Sequence, residues 1–159
     1  MTSELRIEWL ADHPEAVETL ASWENEEWGH LMPEVSLERL AGAFRKRANR
    51  DRIPATLIGY SGDKLVGTAS IVRHDMSILK HLSPWLAIVY VDPVHRNHGF
   101  GSALVLGAMR TAAGFGMEAL YLFTPDQMTF YERLGWQSHE VVEYRGERVT
   151  IMACTPPKN

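Results

Sequence analysis

The residues best placed to do chemistry lie in Val91-Asp92-Pro93-Val94-His95-Arg96-Asn97-His98-Gly99-Phe100-Gly101. An apolar run, Trp85 to Val91, precedes this segment, and a stretch with helical spacing, Ser102 to Phe115, follows it. Glycines at a strand-to-helix junction let several backbone N–H groups aim at one point, where the positive end of the helix dipole also lies. Such a turn attracts an anion, most simply a phosphate, at Gly99 to Gly101. Arg96 and His98 add charge-assisted contacts. The glycine pair is equally compatible with a tight structural turn, and these residues alone do not separate the two readings.

The type of phosphate ligand narrows by exclusion. A P-loop ends in Gly-Lys-Ser/Thr, which does not occur here. A dinucleotide fingerprint needs a third glycine or alanine three positions after Gly101, where Leu104 stands. His95 and His98 are spaced like a metal pair, but no third ligand is near, so no metal is expected. Cys154 is the only cysteine, which excludes an intrachain disulfide and a four-cysteine zinc site. It reads as an inert buried thiol without an adjacent base.

The elements that hold this loop follow from periodicity. Leu5, Ile7 and Trp9 alternate with Arg6 and Glu8, as in a strand. Asp12 is expected to cap a helix with Pro14 and Glu15 in its first turn, carrying Val17, Leu20, Trp23 and Trp28 and stopping at Gly29. Ser36 starts a second helix with Leu37, Leu40, Ala41 and Phe44. Its basic end, Arg45-Lys46-Arg47, reads as a solvated helix terminus. Ala55–Tyr60 and Leu65–His74 form a hairpin about Ser61–Lys64, and Asp75–Pro84 is a loop. Trp85–Val91 reads as a central strand covered on both faces. After the Ser102–Phe115 helix come a strand at Met117–Phe123 and a short helix at Gln127–Leu134 closed by Gly135. A terminal hairpin of Trp136–Tyr144 and Arg148–Ala153 completes the chain. The order is mixed α/β with one parallel crossover from Trp85–Val91 to Met117–Phe123.

Composition agrees with this picture. The 159 residues carry Lys+Arg 16 against Asp+Glu 20, with 45% hydrophobic and 23% charged residues. The length suits a single domain, 1–159, since domains run to roughly 100–150 residues. The net charge of -4 argues against general nucleic-acid binding. No run approaches the roughly 18 apolar residues of a membrane span, and Met1-Thr2-Ser3-Glu4 lacks a secretory pattern. A cytoplasmic protein is expected.

Arg96-x-x-Gly99-x-Gly101 resembles the Arg/Gln-x-x-Gly-x-Gly/Ala motif of the GNAT N-acetyltransferase superfamily, and Val91-x-Pro93-x-x-Arg96 resembles its lead-in. Downstream, Phe130-Tyr131-Glu132-Arg133-Leu134-Gly135-Trp136 resembles the family's Phe-Tyr-Glu-x-Leu-Gly-Phe segment, in the same order and at the same spacing. The resemblance implies a GNAT-like mixed fold, α+β in character, with a six- to seven-stranded sheet and about four helices. It implies acetyl-coenzyme A as cosubstrate, with its pyrophosphate cradled by Arg96, Asn97, His98, Gly99, Phe100, Gly101 and Ser102. The backbone of Val89, Tyr90 and Val91 is expected to pair with the pantetheine arm and to polarise the thioester carbonyl. Tyr131 matches the family's proton donor to the leaving thiolate.

The reaction expected on this basis is direct acetyl transfer to a primary amine, on a small molecule or a peptide N-terminus. Candidates for the base are Glu24, Glu26, Glu27, His30, His74, Asp75 and Asp92. His74 is the choice, because its class of pKa suits neutral pH. Glu27, Trp28 and Trp85 border the expected acceptor side. Family members often pair, so a homodimer is an expectation. A non-catalytic acyl-coenzyme A sensor is the alternative function.

Overall fold

The computed structural model describes residues 4–157. It contains seven strands: β1 (Arg6–Trp9), β2 (Ala55–Ser61), β3 (Lys64–Val72), β4 (Trp85–Val91), β5 (Leu120–Thr124), β6 (Gln137–Tyr144) and β7 (Glu147–Cys154). The helices are α1 (Val17–Trp28), α2 (Leu37–Lys46), α3 (Phe100–Gly114) and α4 (Met128–Glu132). The sheet order is β1-β2-β3-β4-β5-β7-β6. Only β4 and β5 run parallel, as the crossover through α3 requires.

Adjacent residues of the central strands feed opposite faces, because side chains alternate across a sheet. Leu57 of β2 joins a core with Leu104, Val105, Ala108 and Ala112 of α3. Its neighbour Ile58 joins a second core with Leu20 of α1 and Phe44 of α2. The sheet is therefore a middle layer, with α3 on one face and α1 and α2 on the other. α2 begins as expected, with the Arg39 N–H donating to the Ser36 side chain at 3.1 Å.

Several boundaries differ from the sequence reading for identifiable reasons. Asp12 does not cap α1. Its carboxylate takes Arg50 Nη1 at 3.2 Å, and two short 3-10 turns, Leu10–Asp12 and Pro14–Ala16, lead into the helix. β3 ends at Val72, so His74 stands in the following loop and not in a strand. α3 begins at Phe100 rather than Ser102. β5 begins only at Leu120, because the chain first closes α3. Gly116 turns with φ 79°, and the Met117 N–H donates back to the Ala112 carbonyl at 3.0 Å.

β3 and β4 approach closely beside α3. A Cβ at Gly67 would stand 2.7 Å from Leu104 Cδ1 and 2.9 Å from the Tyr90 carbonyl oxygen. The carbonyl cannot move without breaking the sheet, so Gly67→Ala should destabilise the fold by about 1–3 kcal/mol. The expected result is a lowered urea midpoint at unchanged slope.

Candidate active site

The centre of the site is a fault in β4. Thr68 of β3 pairs with Tyr90 and Ser70 pairs with Ala87, so Ala69 alone opposes both Ile88 and Val89. That is a bulge, and Ile88 sits in it with φ 53°, a conformation a β-branched residue rarely adopts. On the other side, the ladder to β5 consists of Trp85↔Tyr121 alone, supported by the Tyr121 N–H donating to the Pro84 carbonyl at 3.0 Å. Beyond that pair the two parallel strands part. Val89 and Val91 remain partly exposed, while Tyr90 is buried against Trp23 at 5.1 Å between rings.

The glycine loop lies at the end of the diverging strand. A 3-10 turn, Pro93–His95, leads to Asn97 at φ 67° and Gly99 at φ 79°, both left-handed. Gly99 is the N-cap of α3 and supplies no side chain, so the first-turn N–H groups of Phe100, Gly101 and Ser102 have no helical acceptor. A Cβ at Gly99 would meet nothing within 4 Å, which leaves the backbone open to an incoming group. Arg96 donates from Nε to the Val91 carbonyl at 2.8 Å, and its guanidinium lies over the Tyr90 ring at 5.4 Å. His98 contacts the Arg96 carbonyl through Nδ1 at 2.8 Å and stacks on Phe100. This loop fits a pyrophosphate: unpaired N–H donors, a helix dipole, exposed cationic groups and space at Gly99.

α4 is anchored beside the loop. A Cβ at Gly101 would lie 3.6 Å from Phe130 Cζ and 3.7 Å from Val91 Cγ2. The turn into α4 is organised by Thr124, whose buried hydroxyl oxygen accepts from the Gln127 N–H at 3.0 Å and the Asp126 N–H at 3.4 Å. The Thr-x-x-Gln spacing was a readable signal for this turn, and the sequence reading passed over it. Tyr131 packs between Phe130 and Trp136 at 5.0 and 6.0 Å between rings. Burial pushes its phenol up to about 12, so at neutral pH the hydroxyl keeps its proton and is available as a donor.

Two acidic groups stand on α1 and in the loop after β3. Glu24 is on the core face of α1, in the stripe of Val17, Leu20 and Ala21, and is only 7% exposed. Burial raises its pKa, against the lowering effect of Arg47. Asp75 follows β3. Burial pushes its carboxyl up to about 7, opposed by the charges of Arg47 and Arg145 and reinforced by that of Glu24. Its loop is tied to β6 by the Ser77 N–H, which donates to the Tyr144 hydroxyl at 3.0 Å. Arg47, read from sequence as part of a solvated helix end, has a buried Nη1, whereas Arg45 and Lys46 are exposed.

The other expected residues separate into groups. His74, Glu26, Glu27 and His30 are exposed, and Trp28 is half-buried with its ring edge toward Tyr90 at 6.3 Å. Asp92 lies 3.5 Å from His95. Trp85 cannot wall an acceptor pocket. It is 1% exposed, donates its indole N–H to the Leu82 carbonyl at 2.8 Å, and packs on Tyr121 and Phe123. Cys154 is buried, which pushes its thiol up to about 12. Among the described residues no group of three or more His, Cys, Asp or Glu is placed to hold a metal ion.

Residues 5–136 match the acetyltransferase (GNAT) family. The chain belongs to that family. It is an acetyl-coenzyme A-dependent N-acetyltransferase by membership, and its sheet and helices have the family's arrangement. No curated protein matches it in sequence. Among solved structures it is similar to an aminoglycoside 6'-N-acetyltransferase complexed with coenzyme A, at 16% identity and TM-score 0.77 over 97% of this chain and 98% of that one. It is also similar to yncA, a putative acetyltransferase from Salmonella typhimurium with acetyl-CoA, at 15% identity and TM-score 0.73 over 99% and 96%. A spermidine N-acetyltransferase SpeG chimera from Vibrio cholerae and hSSAT aligns at 17% identity and TM-score 0.73 over 97% and 96%.

The loop geometry yields a direct test. Gly99→Val places a branched side chain at a left-handed residue and in the open cradle. Calorimetric titration should show acetyl-coenzyme A binding to the parent protein and not to a folded Gly99→Val variant, with ATP failing to substitute. Undiminished binding by the variant would remove the loop from the coenzyme site.

Proposed function

We propose that the protein transfers the acetyl group of acetyl-coenzyme A directly to a primary amine, on a small molecule or a peptide N-terminus, with both substrates bound together. The observation that carries this reading is the parting of β4 from β5 beyond the pair Trp85↔Tyr121, with the Ile88 bulge in β4 and the open N-terminus of α3 after it. The neighbours named for aminoglycoside and spermidine acetylation support an amine acceptor.

In this reading the N–H groups of Gly99 to Ser102, with Arg96, Asn97 and His98, bind the coenzyme's phosphates. The backbone of Val89, Tyr90 and Val91 aligns the pantetheine arm, and an N–H there stabilises the charge that develops on the thioester oxygen. The amine nitrogen forms its bond to the acetyl carbon as the carbon–sulfur bond breaks. Tyr131 gives its proton to the departing sulfur, and the amine proton passes to a carboxylate. The base role assigned from sequence to His74 fits its neighbour Asp75 better. Asp75 is the more enclosed of the two, and burial pushes its carboxyl up to about 7, where a general base works best.

Two measurements test these roles. Tyr131→Phe should lower kcat by about 10²–10⁴-fold, the usual worth of a positioned acid, while the dissociation constant for acetyl-coenzyme A stays the same. Unchanged turnover would take Tyr131 out of the chemistry. The second is a pH profile. Asp75 accepts a proton only as the carboxylate, which is the populated form above about 7, so kcat/KM should rise with pH through a midpoint near 7. Asp75→Asn should remove that limb, and a limb that persists in the variant assigns it to another group.

A further inference from the structure

α1, the end of α2 and the loop after β3 bring together charged groups that the transfer step does not all use. Glu24 stands where the α1 stripe otherwise places apolar residues, one turn after Leu20 and two after Val17. Its Oε1 is buried and has no hydrogen-bond partner. Arg47, just past α2, lies over the Phe44 ring at 5.3 Å, and its Nη1 is likewise buried and unpartnered. The two groups carry opposite charge on α1 and just past α2, helices that share one core through Leu20 and Phe44, and the charge of Arg47 acts to lower the carboxyl pKa of both Glu24 and Asp75. Yet these two atoms are not bonded to each other. A buried polar atom without a partner is costly, and here one is anionic and the other cationic. Trp23 and Trp28 pack on Tyr90 close by, and keep the surroundings apolar.

We infer that this cluster is the acceptor subsite, and that it is built for a zwitterion: an amine whose own skeleton carries a carboxylate or similar anionic group a few bonds away, as in an α-amino acid. The ammonium lies between Glu24 and Asp75, and the anionic group pairs with Arg47. A zwitterion satisfies the two orphaned atoms at once. A polyamine or other dication satisfies the carboxylates and sets a second positive charge against Arg47. Arg145, at the exposed β6–β7 turn, acts on Asp75 in the same sense as Arg47. The inference rests on the acetyl-transfer reading and specifies its substrate class.

The test is a turnover panel read by release of the coenzyme thiol. It offers standard L-α-amino acids, the decarboxylated amine of each, and spermidine. The best amino acid should exceed its decarboxylated partner in kcat/KM by at least about tenfold, the size of one charge-assisted hydrogen bond. Arg47→Met should bring that ratio toward one by raising KM for the amino acid, while Glu24→Gln should weaken both members of the pair. The wild-type ratio decides the matter even if a variant fails to fold. Preference for decarboxylated amines or spermidine, or an unaltered ratio in folded Arg47→Met, overturns the zwitterion assignment and leaves acetyl transfer standing. Silence across the panel from protein that binds acetyl-coenzyme A also overturns it. Silence with no coenzyme binding sinks the acetyl-transfer reading as well.

Discussion

Everything in this molecule depends on two parallel strands that are joined at one point and then kept apart. β4 and β5 share the pair Trp85↔Tyr121 and no more. Left to themselves, adjacent strands zip, because each unpaired N–H and C=O is costly where water is excluded. The bulge at Ile88 prevents this by turning β4 out of register. The strain at Ile88 is carried by neighbours that leave β4 no freedom. On its outer side β3 lies so near that Gly67 has no room for a methyl group. One face is covered by α3, and on the other Tyr90 is packed between Trp23 and Trp28. β5 in turn is fixed by an uninterrupted ladder to β7 from Leu120 to Thr124. The sheet is thus two rigid halves, and the gap between them is a built feature.

The charge arrangement follows from that gap. After β4 lie helix N–H groups, Arg96 and His98, which are solvated and suited to an anionic ligand. On the side of α1 and α2, Glu24 is buried, and burial raises its carboxyl and that of Asp75. Burial also keeps the hydroxyl of Tyr131 protonated, on the side of the sheet that carries α3. One physical cause, burial, raises both the tyrosine and the aspartate. It keeps the phenol protonated and brings the carboxyl up to about 7.

Much of this was legible in the residues. The period-2 and period-3.6 patterns gave all seven strands and four helices in order, and the glycine loop and the Phe130–Trp136 segment carried the family. What failed was local. Asp12 has the right chemistry for a cap, but Arg50 lies far along the chain and claims it. Trp85 sits beside the expected acceptor loop in sequence, yet its indole turns inward to Leu82. Arg47 stands in a basic run whose other members are solvated, and only the packing of α2 shows that its tip is enclosed. His74 and Asp75 are adjacent, and nothing in their types reveals which is exposed. Glu24 was different: its place in the apolar stripe of α1 was visible, and a carboxylate there is a signal in itself.

Cys154, at the end of β7, draws a consequence from burial of another kind. Burial pushes this thiol up to about 12, so it stays protonated near neutral pH, and only the thiolate attacks an electrophile. As the sole cysteine, it leaves the chain nearly blind to alkylating agents and disulfides. Two copies cannot cross-link through an accessible sulfur, and an oxidising buffer has no ready foothold. The protein can therefore be handled without added reductant, and a maleimide label placed on an introduced surface cysteine would report that position alone.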